Sequence, residues 1–236
     1  EYVPGVAHLT PPLKKIYTDR EIAYSAESAA ILSVSEGMNE LLILHLKINS
    51  NPEIVANDPL VEGQQPSERN LRKDCGLDAS TPLLVYSGAV APQRGVGDVL
   101  KALRSMPDVH LALIANPSNA TVQKYVAEFA DLKDRFHVLS YVPNAQLVSY
   151  LSSADIGLIP IHHKLNHEIS LITKFGEYMQ ARLPIIVSDV QTMGAEVKRL
   201  GNGEVFIAED SEDFVKATRA VLSNLEKYKS AYTDRK

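Results

Sequence analysis

A strand-to-helix connection, Ser87-Gly-Ala-Val-Ala-Pro-Gln-Arg-Gly-Val-Gly-Asp98, combines several glycines with one arginine. Gly88 would let a ligand approach the backbone closely, and the helix expected after Gly95 would offer free N–H groups and the positive end of its dipole. Arg94 adds a permanent cation whose planar fork fits phosphate oxygens. The segment therefore indicates phosphate binding, although neither the dinucleotide fingerprint nor the Walker loop spacing is present. A plain glycine turn with a solvated arginine is the alternative.

Residues 170–180 have the periodicity of an amphipathic helix, with one apolar face for packing on a sheet. Ser170 is predicted to be the N-cap, so that the first N–H groups of the helix point outward. Those groups belong to Leu171, Ile172 and Thr173. Glu177 lies on the polar face roughly 10 Å further by helical rise, which is about the span from a diphosphate to a ribose. Its carboxylate could accept hydrogen bonds from two vicinal hydroxyls. A surface helix whose polar face only meets water is the alternative.

Three histidines and a glutamate follow the expected strand that ends at Ile161: His162, His163, His167 and Glu168. These residue types can hold zinc. However, adjacent histidines point apart in an extended chain, and the i, i+4 spacing of helical metalloprotease sites is absent. We therefore predict no bound metal here, and a polar loop that borders a ligand pocket.

A regular alternation of apolar strands and helical patterns after residue 68 would position these segments. Strands are predicted at residues 83–87, 109–114, 136–138, 156–159, 185–187 and 204–206. Helices are predicted near residues 95–105, 119–132, 145–152, 171–181, 191–200 and 211–227. This alternation is typical of an α/β fold with a doubly wound parallel sheet, whose ligands bind outside the carboxyl ends of the strands. Asp155, which opens one strand, is expected to cap or turn the chain.

The first part of the chain is less regular. A helix is predicted near residues 13–26, short strands at 30–35 and 53–56, and a second helix after Ser35, its predicted N-cap. Residues 57–68 are polar and contain proline, as a linker would. Because the sequence has no initiator methionine, we expect it to be a piece of a longer protein.

Composition excludes several classes of protein. With 24 Lys and Arg against 29 Asp and Glu, the formal net charge of −5 offers no basic excess for binding nucleic acid. Cys75 is the only cysteine, which fits a reducing compartment. No apolar run approaches the ~20 residues that a membrane-spanning helix needs. The 236 residues suffice for one or two domains with a sizeable core.

Taken in order, these segments resemble the nucleotide-sugar half of retaining glycosyltransferases of family 4, which have the two-domain GT-B fold. The family's Gly-Arg-x-x-x-x-Lys-Gly stands here as Gly88-Ala-Val-Ala-Pro-Gln-Arg94-Gly95. Its Pro-x-Lys-x-x-Glu-Tyr-Met, followed by Gly-x-Pro, stands as Ile172-Thr-Lys174-Phe-Gly-Glu177-Tyr178-Met179, then Arg182-Leu-Pro184. Residues 141–160 and 201–206 are similar as well.

The resemblance implies a donor site. Gly88 and Arg94 would contact the diphosphate, backbone near residues 137–141 would face the base, and Glu177 would hold the ribose hydroxyls. The donor-binding residues implied in this way are Gly88, Ala89, Arg94, Tyr141, Ser170, Leu171, Ile172, Thr173, Lys174 and Glu177. No metal or cofactor is implied, because the nucleotide sugar is itself the substrate.

Some positions depart from the family pattern. Ala89 stands where the family has a phosphate-binding Arg, and Arg94 stands where it has a Lys. Ile169 stands where the first of two glutamates is expected, and Glu168, the one catalytic candidate, lies one residue early. Losing one of two cations would cost about 1–3 kcal/mol in charge-assisted hydrogen bonding.

The resemblance predicts three parts of the chain: the tail of an acceptor-side Rossmann-like domain at residues 1–58, a linker at 59–68 and a donor-binding domain at 69–236. The whole enzyme would transfer a sugar from a nucleotide diphosphate to a hydroxyl of a carbohydrate or lipid-linked acceptor, with retention. It would be cytoplasmic, with contact to the inner membrane face made through the acceptor-side domain. Since most of that domain is missing, the chain alone is expected to transfer no sugar.

Two alternatives to this reading stay open. One is a nucleotide-sugar epimerase of the same fold. The other is a non-catalytic module that binds nucleotide sugars, which the residues at Ala89 and Ile169 favour.

Overall fold

The computed structural model describes residues 3, 6, 9–48, 51–55, 57 and 59–232. Its main element is a parallel sheet of six strands: β3 (Leu83–Ser87), β4 (His110–Ile114), β5 (Phe136–Leu139), β6 (Ile156–Ile159), β7 (Ile185–Ser188) and β8 (Gly203–Phe206). Their spatial order is β5-β4-β3-β6-β7-β8. All of them lie within one residue of the predicted bounds, and the doubly wound parallel sheet is confirmed.

Helices cover both faces of this sheet. The helices from residue 71 onward are α3 (Leu71–Asp74), α4 (Val96–Leu103), α5 (Ala120–Glu128), α6 (Asn144–Leu151), α7 (Leu165–Ile169), α8 (Thr173–Gln180), α9 (Gln191–Leu200), α10 (Ser211–Leu222) and α11 (Leu225–Ser230). Helices α4, α5 and α10 pack on one face, and α3, α6, α8 and α9 pack on the other. Every residue of β3 is buried, with Leu84 and Tyr86 in one core and Leu83 and Val85 in the other.

Two predicted helices are each divided in the structure. The helix predicted at 211–227 becomes α10 and α11, because the backbone of Asn224 leaves the helical region at φ −140°. The helix predicted at 119–132 ends at Glu128, and a 3-10 turn follows at Ala130–Leu132. Helix α3, helix α7 and a 3-10 turn at Pro92–Arg94 were not predicted. No helix of the described residues is both long enough and apolar enough to cross a membrane.

The N-terminal section consists of α1 (Pro11–Glu27), β1 (Leu32–Ser33), α2 (Glu36–Leu46) and β2 (Glu53–Ile54). The two strands pair in parallel and are shorter than predicted, while residue 56 lies outside the described residues. The predicted N-cap is confirmed, since the Ser35 side chain accepts a hydrogen bond from the N–H of Met38. Residues 57 and 59–68 contain no helix or strand, as a linker would.

Helix α2 joins this section to the main body of the molecule. Its buried residues Met38, Leu42 and Leu46 form one apolar cluster with Ile169 at the end of α7. The Ser35 hydroxyl also donates a hydrogen bond to the carbonyl oxygen of Ile169. The N-terminal section is therefore packed against the element that directly precedes α8.

Candidate functional site

A cleft of about 660 Å³ opens at the carboxyl ends of β3 and β5, beside the start of α8. Its lining residues are Val34, Met38, Asn57, Ser87, Gly88, Ala89, Arg94, Tyr141, Val142, Asn144, Leu147, Ser170, Leu171, Ile172, Thr173, Lys174 and Glu177. All ten residues predicted for the donor site are in this set. The fold therefore brings together residues that lie almost ninety positions apart in the sequence, such as Gly88 and Glu177. Both predicted segments line this one cavity.

The cleft lies at the point where the strand order of the sheet reverses. From β3 the chain proceeds outward through β4 to β5, and it then returns to place β6 on the opposite side of β3. In open α/β sheets, ligands bind outside the carboxyl ends of the strands at such a switch point, because the connections leave on opposite faces and a crevice stays open.

The connection after β3 takes the conformation that its glycines permit. Gly88 has φ +117° and Gly95 has φ +72°, both in the region that side chains disfavour. A Cβ on Gly95 would lie 1.6 Å from the carbonyl oxygen of Pro160. The N–H of His162 also donates to the carbonyl oxygen of Gln93 at 3.0 Å. The loop that carries Arg94 is thus fixed against the loop after β6.

The predicted N-cap at Ser170 is wrong. Ser170 is extended (φ −99°, ψ 140°) and follows the last residue of α7. Helix α8 begins at Thr173 after Ile172, and no side chain caps it. The reason is that the preceding residues fold into a helix of their own, which displaces the start of α8 by two positions. The residues at the start of α8 still line the cleft, namely Ile172, Thr173 and Lys174.

Two cations face the cleft without an anionic partner among the described residues: Arg94 and Lys174. Lys174 is only 8% exposed, and its Nζ lies 3.9 Å from the centre of the Tyr86 ring. Burial lowers the pKa of Lys174 to about 7, with Arg94 acting in the same direction and Glu177 opposing it. The resemblance implied that Lys174 belongs to the donor site, but the sequence did not predict that its side chain is buried.

Glu177 lies one turn after Lys174 on α8 and lines the same cleft. Burial raises the pKa of its carboxyl, and the positive charge of Lys174 acts against that rise. Its carboxylate therefore lies half-buried, within reach of a ligand in the cleft. Hydroxyl groups are suitable partners for it, because they would replace the hydrogen bonds from water that burial removes.

The histidine-rich segment does not border the cleft, contrary to the prediction, and part of it forms α7. His163 lies between two carboxylates, with Nδ1 2.6 Å from Oε1 of Glu168 and Nε2 3.0 Å from Oδ1 of Asp189. The other oxygen of Glu168 accepts a hydrogen bond from the N–H of Gln191 at 2.8 Å. Both oxygens of the one catalytic candidate are thus engaged outside the cleft.

A metal centre has no support in the arrangement of these side chains. Where the structure describes the chain, no three His, Cys, Asp or Glu side chains converge as a metal ion would require. His162 instead pairs with Asp98, with 2.8 Å between Nε2 and Oδ2. The absence of a bound metal stays a prediction.

Several lining residues were not predicted. Val34, Met38 and Asn57 come from the N-terminal section and the stretch after it. The Asn57 side-chain amide donates to the Thr173 hydroxyl at 2.8 Å, which brings that stretch to the first turn of α8. No periodicity or motif marks these residues, because their place depends on how two parts of the chain meet.

Comparison with known proteins gives three results. A family model described as "Glycosyl transferases group 1" matches residues 67–234. The curated protein "Putative teichuronic acid biosynthesis glycosyltransferase TuaC" of Bacillus subtilis is 25% identical over 130 residues, which are 55% of this chain and 30% of that protein. The chain therefore spans less than a third of this curated relative.

Solved structures share the fold at low sequence identity. Sucrose-phosphate synthase from Thermosynechococcus elongatus superposes with a TM-score of 0.75 at 16% identity, over 98% of this chain and 59% of that one. Anabaena Alr3699/HepE, solved in complex with UDP and glucose, gives 0.71 at 14% identity, over 99% of this chain and 63% of that one. The chain thus covers about three fifths of each of these neighbours.

Proposed function

This chain belongs to the family of group 1 glycosyl transferases, and we propose that its cleft binds the nucleoside diphosphate of a nucleotide-sugar donor. The observation that carries the proposal is the meeting of Arg94, Lys174 and Glu177 in one cavity at the switch point of the sheet. Two cations and a helix N-terminus suit a diphosphate, and a half-buried carboxylate suits vicinal hydroxyls. The complex of Alr3699/HepE with UDP and glucose supports this choice of ligand by analogy.

In the reaction that we propose, the sugar passes from the diphosphate to an acceptor hydroxyl with retention of configuration. Arg94 and the N-terminal N–H groups of α8 would stabilise the negative charge that develops on the departing diphosphate. Glu177 would fix the ribose, and so the position of the diphosphate, by accepting hydrogen bonds from its two hydroxyls. The acceptor is proposed to be a carbohydrate or a lipid-linked glycan, and the location to be cytoplasmic.

Binding of UDP and GDP, measured by isothermal titration calorimetry, tests the donor site. We expect Glu177→Gln to weaken binding of a ribonucleoside diphosphate about 10-fold, since a charge-assisted hydrogen bond contributes about 1.5–3 kcal/mol. The same variant should bind the 2′,3′-dideoxynucleotide as the unaltered chain does.

Glu212→Gln is the matched control, because Glu212 is an exposed carboxylate in the first turn of α10 and does not line the cleft. If neither UDP nor GDP binds the unaltered chain, the donor-site assignment is wrong. Equal losses for the ribonucleotide and the dideoxynucleotide would contradict the role of Glu177 in holding the ribose.

A further inference from the structure

Lys174 is a buried cation, and within the described part of the chain its one close partner is an aromatic ring. Its side chain is 8% exposed, and Nζ lies over the face of Tyr86. Among the described residues, no carboxylate or hydrogen-bond acceptor lies within bonding distance of this ammonium. A buried charge without such a partner costs free energy, and cation–π attraction offsets only part of that cost. Such an ammonium is suited to an anion that arrives from outside.

The ammonium lies beside the backbone of the connection after β3. A Cβ placed on Gly88 would lie 3.3 Å from Nζ, so the absence of a side chain at Gly88 leaves room for the lysine. The next residue, Ala89, is exposed and lines the cleft but brings no charge. Lys174 therefore reaches from α8 to the residue directly before Ala89, which itself provides no cation.

We propose that Lys174 is the second phosphate-binding cation of the cleft, beside Arg94, and that its ammonium takes up a proton from solvent when a nucleoside diphosphate binds. This inference rests on the proposed function, since it assigns a role within the same site. It explains how the cleft can neutralise a diphosphate although residue 89 is alanine. It also predicts that binding depends on pH in a way that an arginine could not cause, because guanidinium does not lose its proton.

The groups around the ammonium determine the direction of the proton transfer. Arg94 faces it from the 3-10 turn, Glu177 shares its helix, and the buried ring of Tyr86 lies against it from β3. Because burial lowers the pKa of Lys174 to about 7, part of the population is neutral at pH 7.5. A bound diphosphate brings negative charge that favours the charged form. Binding therefore raises the pKa, and the proton comes from the buffer.

Calorimetric titration of the 236-residue chain with UDP and GDP at pH 7.5, in buffers of different ionisation enthalpy, measures this proton uptake. We expect net uptake of a fraction of a proton by the unaltered chain and none by Lys174→Met, a neutral substitution of similar length. The variant should bind the diphosphate at least 10-fold more weakly and should bind the uncharged nucleoside uridine or guanosine as before. Lys198→Met, at an exposed lysine of α9, is the matched control and should change neither.

Two further measurements separate a phosphate-binding role from a structural one. The melting temperature of unliganded Lys174→Met should rise by several degrees, because a buried charge without a partner has been removed. Adding Ala89→Arg to that variant should restore diphosphate affinity without restoring proton uptake. Equal losses for diphosphate and nucleoside, or unchanged diphosphate affinity, would overturn the inference and leave the proposed function intact. An unaltered chain that binds neither diphosphate would overturn both.

Discussion

The hydroxyl of Tyr178 accepts a hydrogen bond, at 3.2 Å, from the backbone N–H of Ser87. It also lies 3.2 Å from the carbonyl oxygen of Val85, to which it can donate. The pairing of β3 with β6 extends only to Val85 and Gly157, so the phenol takes the place of the missing strand partner. A Cβ on Gly157 would lie 2.5 Å from the Tyr178 ring. This tyrosine therefore holds α8 to the two strands at the point where they separate.

We predict that Tyr178→Phe lowers the free energy of unfolding by about 1–3 kcal/mol, since it leaves the buried N–H of Ser87 without a partner. Urea unfolding followed by circular dichroism measures this loss. Tyr24→Phe is the matched control, because Tyr24 is 66% exposed and should change stability by less than about 0.5 kcal/mol. Equal effects of the two substitutions would show that the phenol does not hold the strands in solution.

The sheet could be predicted from the sequence because its strands are short apolar runs, each bounded by polar or turn residues. Four of the five residues of β3 are large and apolar, and parallel strands that are buried on both faces require such composition. The cleft could be predicted for a related reason. Loops at the carboxyl ends of strands meet at one edge of a parallel sheet, so the segments of Gly88 and Glu177 had to lie near each other.

Contacts between distant residues could not be predicted in this way. Glu168 is held by His163 and by the N–H of Gln191, which is 23 positions away. Ile169 stands at a position where the resemblance led us to expect glutamate, and it packs on α2 instead. Asp155 was expected to cap or turn the chain, but it pairs with Arg72, which is 83 positions away. Each of these roles depends on a neighbour that the periodicity of one segment does not reveal.

The ion pair of Arg72 and Asp155 is predicted to be the costliest of the ion pairs to break. Nη2 and Oδ2 lie 2.5 Å apart, and the side chains are 13% and 15% exposed. Asp155 also accepts a hydrogen bond from the N–H of Leu83 at 2.8 Å. Asp155→Ala should lower the free energy of unfolding by about 3–5 kcal/mol, because it leaves a buried guanidinium without its anion.

The matched control for this prediction is Asp131→Ala. Its partner is Arg104, and the two side chains are 48% and 52% exposed, so water screens the pair. The loss should be much smaller than that of Asp155→Ala, because an ion pair exposed to water contributes little to stability. Denaturant unfolding of the two variants measures both values. Similar losses would mean that burial does not determine the contribution of these pairs.

His163, which lies between the carboxylates of Glu168 and Asp189, is predicted to make the stability of the protein depend on pH. Its hydrogen bond to Glu168, with the further charge of Asp189, raises the pKa of His163 above its ordinary value of 6.5. A raised pKa in the folded state means that the contribution is fully present below about pH 6.5 and is lost as the pH rises through the folded value. His163→Gln should therefore destabilise the protein more at pH 5.5 than at pH 8.5. Thermal unfolding at both pH values measures the difference. An equal effect at both would contradict the claim that protonated His163 stabilises the folded state through Glu168 and Asp189.

Transfer of sugar to an acceptor by this chain alone is expected to be undetectable. In the GT-B arrangement that the resemblance implies, the donor and the acceptor occupy opposite walls of a cleft between two domains. Of the described residues before position 59, three line the cleft here: Val34, Met38 and Asn57. The donor sugar would therefore face water, and the proximity effects that a closed cleft supplies, worth roughly 7–11 kcal/mol, would be missing.

A direct comparison tests this expectation. Sugar transfer from a labelled donor is measured for the 236-residue chain and for a chain that carries a complete Rossmann-like domain before it. Binding of the nucleoside diphosphate should be similar in both, because its predicted contacts all lie in the residues described above, whereas transfer should occur only in the longer chain. Slow hydrolysis of the donor is the most that we expect from the shorter one, since water can reach the sugar and the departing diphosphate is not desolvated. Comparable transfer rates would show that the acceptor wall is not needed, and that the division of the chain into acceptor-side and donor-side parts is wrong.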